Sequence, residues 1–196
     1  MSRLLRAIAL TLLVASCSGS GNTKAPRELD NACSIVNQHP DFMRAFRATE
    51  RQYGVPIGTL MAMIYQESKF ISDARPPYRY TLGVIPSGRQ SSALGYSQAL
   101  DGTWKEYKQI TGRRGANRER ITDATLFMGW YMQQSNKDLG IPMGDTRNQY
   151  LAYHDGRTGY KRGTWRSKSW LIRIAGELEG RAAMYDQQLR RCGKIR

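Results

Sequence analysis

Apolar residues recur along most of this chain at intervals of three and four, the spacing of helices buried on one face. In "PDFMRAFRATERQYG" the side chains of Phe42, Phe46 and Tyr53 share a stripe, and Gly54 is a helix-ending signal. "VPIGTLMAMIYQESKF" has Pro56 where a first turn accepts proline, then a broad apolar face of Ile57, Leu60, Met61, Ile64 and Tyr65. "TDATLFMGWYMQQSNKDLG" offers Thr122 as a cap and Leu126, Phe127, Trp130 and Tyr131 as core. "DTRNQYLAYHDG" opens on Asp145 and closes on Gly156. A last helix, "SWLIRIAGELEGRAAMYDQQLRR", repeats apolar residues at Leu171, Ile174, Leu178 and Met184. Period-two alternation is scarce. The expected fold is mainly α, a single domain with little or no β. Any strand should lie between residues 71 and 94, where "ISDARPPYRYTLGVIPSGRQSSALG" is too rich in proline and glycine for a regular helix. A loop of that length inside a compact domain is often functional.

The first residues break the helical pattern. "MSRLLRAIALTLLVASCS" has Arg3 and Arg6, then an apolar run from Ala7 to Ala15, too short for a comfortable membrane span. That is the layout of a secretory signal. "VASC" resembles the bacterial lipobox, which would make residues 1–16 a lipoprotein signal peptide and Cys17 the lipidated first residue; the alternative is an ordinary cleaved signal. The absence of Asp after Cys17 implies the periplasmic face of the outer membrane, reached through a lipid anchor. "SGSGNTKAPRELDN" reads as a tether, so residues 17–32 are expected to be flexible and 33–196 to form the domain. The remaining cysteines, Cys33 and Cys192, bracket that domain. In an oxidising compartment they are expected to pair, two free thiols being the alternative. A loop this long would stabilise by about 4–5 kcal/mol in the chain-entropy picture.

Charge narrows the partners. Thirty Lys and Arg against 16 Asp and Glu give a net +14. Such a field favours anionic lipid headgroups, acidic cell-wall polymers or nucleic acid, and an exported chain rarely meets the last. The two histidines, His39 and His154, form no HExxH-type pair, so no metal and no cofactor are expected. "LGYSQA" approximates a nucleophile elbow around Ser97, but the strand such an elbow needs is missing from the pattern before it.

Three ordered pieces remain: Glu67-Ser68 at the end of an apolar helix, "GYSQ" from Gly95 to Gln98, and "AYHDG" from Ala152 to Gly156. Together they resemble the soluble-lytic-transglycosylase domain of the goose-type lysozyme superfamily, whose pattern runs E-S, G-L-M-Q and A-Y-N-x-G. "MGWYM" (128–132) is similar to the family's intervening G-x-x-Y-L helix. The resemblance spans about residues 50–160 and implies a lysozyme-like fold with a substrate cleft. Ser97 and His154 depart from the family's Met and Asn, and the stretch from Glu67 to Gln98 is longer than usual.

The resemblance implies a peptidoglycan enzyme acting on glycan strands, and the chain is expected to be a monomer. Glu67 would be the acid, with Ser68, Gly95, Tyr96, Gln98 and Tyr153 binding substrate. Ser91 and Ser92 in the long loop could bond sugar or peptide groups. Tyr96 would line the cleft or pack behind it, and His154 reads as a rim or structural residue. The implied product is a 1,6-anhydroMurNAc end, formed with one glutamate as acid and then base. A hydrolase using water, or a glycan-binding lipoprotein with weak turnover, stays open at this point.

Overall fold

The computed structural model describes residues 24–196; the expected signal peptide (1–16), Cys17 and the first part of the tether lie outside them. Seven α-helices and one β-hairpin make up the described residues: α1 (Ala32–Gln38), α2 (Pro40–Tyr53), α3 (Ile57–Ser68), β1 (Tyr78–Thr81), β2 (Ile85–Arg89), α4 (Asp101–Thr111), α5 (Ile121–Leu139), α6 (Thr146–Arg162) and α7 (Ser169–Arg191). A short 3-10 turn, Thr164–Ser167, links the last two helices. The fold is mainly α, as the periodicity predicts. The hairpin falls inside the 71–94 stretch, and its two strands are antiparallel.

α3 is the centre of the molecule. Ile57, Leu60, Met61, Met63 and Ile64 are all 1 % exposed or less. Burial of each large side chain contributes about 1.5–3 kcal/mol relative to leaving it in water. The helix is enclosed because α7 runs along one side while α2 and α5 cover the others. Two glycines permit the close contacts. A Cβ on Gly58 would sit 2.4 Å from the Ala182 carbonyl of α7, and one on Gly129 would sit 2.5 Å from the Tyr53 ring of α2.

Helix ends follow local chemistry in most places. Asp145 caps α6 by accepting from the Asn148 N–H, and Gly54 in the left-handed region closes α2. The expected cap at Thr122 is displaced: α5 begins at Ile121, after Arg120. Asp123 draws the chain into that earlier turn, accepting from the Asn117 N–H at 3.0 Å and pairing with Arg120 at 2.8 Å. Gly156 does break the helix, with φ 75° and ψ 152°, but the chain re-enters helical geometry and runs on to Arg162.

The end of the segment expected as tether is held against α7. Tyr185 donates its hydroxyl to the Leu29 carbonyl, Arg181 pairs with Asp30 at 2.6 Å, and Gln188 bonds both the Asp30 carbonyl and the Ala32 N–H. Folded structure therefore starts before residue 33, because α7 offers both donors and an acceptor to the chain there. A disulfide between Cys33 and Cys192 closes the same junction. Among the described residues no helix is long and apolar enough to cross a membrane.

Candidate active site

Glu67 is the penultimate residue of α3, and the chain turns sharply beyond it. Lys69 and Phe70 both take positive φ, 52° and 61°, a conformation uncommon for residues other than glycine. The turn is anchored by Phe70, which is fully buried and stacks on Phe42 with ring centroids 5.8 Å apart. The Lys69 N–H closes the helix on the Tyr65 carbonyl at 3.0 Å. The Lys69 ammonium is drawn aside, 3.5 Å over the Tyr65 ring. Glu67 is thus left at the floor of a cleft of about 600 Å³, half-buried and with no hydrogen-bond partner among the described residues. Burial pushes its carboxyl from 4.5 up to about 8, against a smaller opposing pull from the Lys69 charge. Around neutral pH it is a carboxylic acid.

Two tyrosines of α6 flank it. Tyr150 and Tyr153 are held protonated first by burial and then by the negative charge Glu67 would carry. Tyr153 packs edge-on against Tyr131 at 5.1 Å and donates its hydroxyl to the Ser97 carbonyl at 2.6 Å. Its ring lines the cleft, while its hydroxyl proton is committed to the neighbouring turn.

That turn is the Gly95–Gln98 segment. Gly95 has φ 79° and lies so close to Arg118 that a Cβ would sit 2.2 Å from its carbonyl oxygen. Gln98, at φ 48°, lines the cleft and donates its amide to the carbonyls of Ala74 (2.8 Å) and Gly95 (2.9 Å). The side chain expected to offer substrate both a donor and an acceptor therefore uses its donor on its own loop. Oε1 remains as the acceptor.

Of the expected substrate-binding residues, Gln98, Tyr153 and Ser91 line the cleft with Glu67, and His154 joins them at the rim. The others do not line the cleft. Ser68 is buried and donates to the Ile64 carbonyl one turn back, because its helical position points it inward. Ser92 accepts from the N–H of Asp101, the first residue of α4. Tyr96 is 4 % exposed and packs edge-on to Phe42 at 5.7 Å, behind the cleft. Gly95 contributes backbone shape, with no contact to the cleft. His154 packs on Trp170 at 5.1 Å; burial and then the Lys168 charge lower its pKa, keeping it neutral.

The rest of the lining comes from the hairpin and its flanks, Pro76, Arg79, Gln90 and Ala93, together with Leu100. Length and proline content single out this stretch in the sequence, but no periodicity says which of its side chains face inward. Tyr150 is also missed, since nothing in its local pattern sets it apart from a packing residue. Glu67 is the only carboxylate lining the cleft among the described residues. Of the nearest in sequence, Asp101 is engaged by Arg118 at 2.8 Å, and Asp73 does not reach the cleft. No group of three or more metal-ligating side chains occurs among the described residues. The arrangement can donate a proton from a desolvated acid to a ligand held between α6, the 95–98 turn and the hairpin.

Comparison with known proteins fits this geometry. No curated protein matches the chain. A family model described as Transglycosylase SLT domain matches residues 5–192, which takes in the helix that carries Glu67, the turn, the hairpin, Tyr150 and Tyr153. With a match over nearly its whole length, the chain belongs to the transglycosylase SLT domain family.

Proposed function

We propose that this protein is a lytic transglycosylase that cleaves the MurNAc-β-1,4-GlcNAc bond of peptidoglycan and leaves 1,6-anhydroMurNAc ends, with Glu67 as its acid and then its base. Family membership implies a transglycosylase-type enzyme acting on peptidoglycan. The observation that carries the finer reading is a single protonated glutamate in a cleft whose described lining holds no second carboxylate. Ordinary glycoside hydrolysis divides its work between two carboxyl groups, one on each side of the bond. A lone acid needs the substrate to supply the second function.

The steps balance without water. Glu67 gives its proton to the glycosidic oxygen as the C1–O4 bond breaks. The carbonyl oxygen of the MurNAc N-acetyl group attacks C1 and forms a cyclic oxazolinium. Glu67, now a carboxylate, removes the proton from the 6-hydroxyl. O6 then attacks C1, the oxazolinium opens, and the anhydro ring closes with Glu67 protonated again. Gln98 Oε1 accepts from the acetamide N–H and orients it for attack. The Tyr153 ring packs against a sugar face and keeps water from the carboxyl.

Digestion of purified peptidoglycan, with product ends identified by mass spectrometry, tests this. Anhydro ends are expected; products carrying only reducing MurNAc would make the protein a hydrolase. Glu67→Gln keeps the shape and cannot transfer a proton, so turnover should fall by about 10²–10⁴-fold. Near-normal turnover in that folded variant removes Glu67 from its role.

A further inference from the structure

With Glu67 protonated and His154 neutral, one permanent charge lines the cleft among the described residues: the guanidinium of Arg79 on the hairpin. The hairpin is built to present it. Tyr78 pairs with Arg89 and Tyr80 with Pro86, so both Ser87 and Gly88 stand opposite Arg79. This is a β-bulge, with Gly88 at φ 102°, and bulges beside active sites re-aim a side chain. Ser87 donates to the Arg79 carbonyl at 3.3 Å, and Arg79 donates one N–H to the Gln90 carbonyl at 3.0 Å.

The neighbouring arginines have structural work. Arg89 lies 4.3 Å over the Tyr78 ring and donates to the Pro76 carbonyl at 2.7 Å. Arg118 pairs with Asp101 and bonds the Ala99 carbonyl. Arg79 makes no ion pair among the described residues, and no acidic residue occurs from 74 to 100. The cation that acts on Glu67 is Lys69. Arg79 lines the same cleft from the hairpin and is not among the charges that act on Glu67, which suits it to an anionic substituent set apart from the bond being cut.

We infer that Arg79 is a specificity-determining residue that binds a carboxylate of the peptide stem carried by MurNAc. This rests on the substrate reading given above. The glycan backbone between its substituents is uncharged, so the stem is where a peptidoglycan strand offers carboxylates. A planar guanidinium with free N–H groups matches a carboxylate with two parallel hydrogen bonds.

The test is a cycle between Arg79 and the substrate's charge. Wild type and Arg79→Gln are assayed on three substrates: peptidoglycan with native stems, the same material with stem carboxylates chemically amidated, and amidase-stripped strands whose only carboxylate is the lactyl group. On native stems Arg79→Gln should lose about tenfold in kcat/KM, mostly in KM, the scale of one charge-assisted contact. Amidation should cost wild type a similar factor and leave Arg79→Gln nearly unchanged. Arg79→Lys, which keeps the charge without the fork, should recover part of the loss. The alkaline limb of the pH profile should not move in either variant.

Equal losses on amidation in both proteins would overturn the inference. So would an Arg79 dependence that persists on stripped strands. A wild type that leaves no anhydro ends on any substrate counts against the transglycosylase reading. Unchanged product chemistry with rates indifferent to Arg79 counts against this inference alone.

Discussion

In the proposed mechanism one side chain, Glu67, sets both activity and stability. Its carboxyl is pushed from 4.5 up to about 8 in the folded protein by burial. An acid whose folded pKa is raised favours folding least when it must ionise. The cost is absent below pH 4.5, grows as pH rises, and is complete above about 8. At pH 7 it amounts to about 3 kcal/mol. Activity and stability should therefore both decline on the alkaline side. Turnover needs the protonated acid first, so kcat/KM should fall as pH rises through about 8. Glu67→Gln should melt higher than wild type at pH 8 and near it at pH 4.5. Calorimetry across that range checks the sign, and a stability difference that does not grow with pH contradicts the shift. The candidate acid was legible because "ES" ends an apolar helix. Ser68 beside it was not, since its burial depends on the turn of α3 against its neighbours.

Elements carry the next level of the site. The 95–98 turn has no regular ladder beyond a single bridge between Leu94 and Ala99. It is fixed by the Gln98 amide from within and by the Tyr153 hydroxyl from α6. Tyr153→Phe keeps the ring against Tyr131 and removes the bond to the Ser97 carbonyl, leaving a buried acceptor unpaired. A cost of about 1–3 kcal/mol is expected. Because the loosened turn carries Gln98, the loss should appear in kcat as well as in melting temperature. A variant equal to wild type in both would show that the hydroxyl does not position the turn. α4 escaped the periodicity because Trp104 and Tyr107 are its only buried residues. Ser92 reads as a loop hydroxyl until α4 supplies the N–H it accepts.

Across the whole molecule, the two ends of the folded chain meet. Cys33 and Cys192 are bonded, 159 residues apart in sequence, and Arg181, Tyr185 and Gln188 grip residues 29–32 beside them. Closing so long a loop restricts the unfolded chain, an effect of about 4–5 kcal/mol. Reduction and alkylation should lower the melting temperature by roughly 10–20 °C. Molecules still folded should keep their activity, because Glu67, Gln98 and Tyr153 take no part in that junction. Calorimetry with and without reductant decides it; an unchanged melting temperature would mean that the bond contributes nothing.

What the sequence determined by itself is what short-range chemistry encodes. Helical periodicity located α2, α3, α5, α6 and α7, and the order of "ES", "GYSQ" and "AYHDG" pointed to Glu67, Gln98 and Tyr153. What the tertiary structure decided is direction and commitment. Gln98 and Tyr153 reach the cleft with their donors already used, Tyr96 and Ser68 turn into the core, and an irregular, bulged hairpin brings Arg79 to the same cleft as the acid. These outcomes depend on which distant group occupies the neighbouring space. A hydrogen bond from residue 153 to residue 97 leaves no trace in the local pattern of either segment.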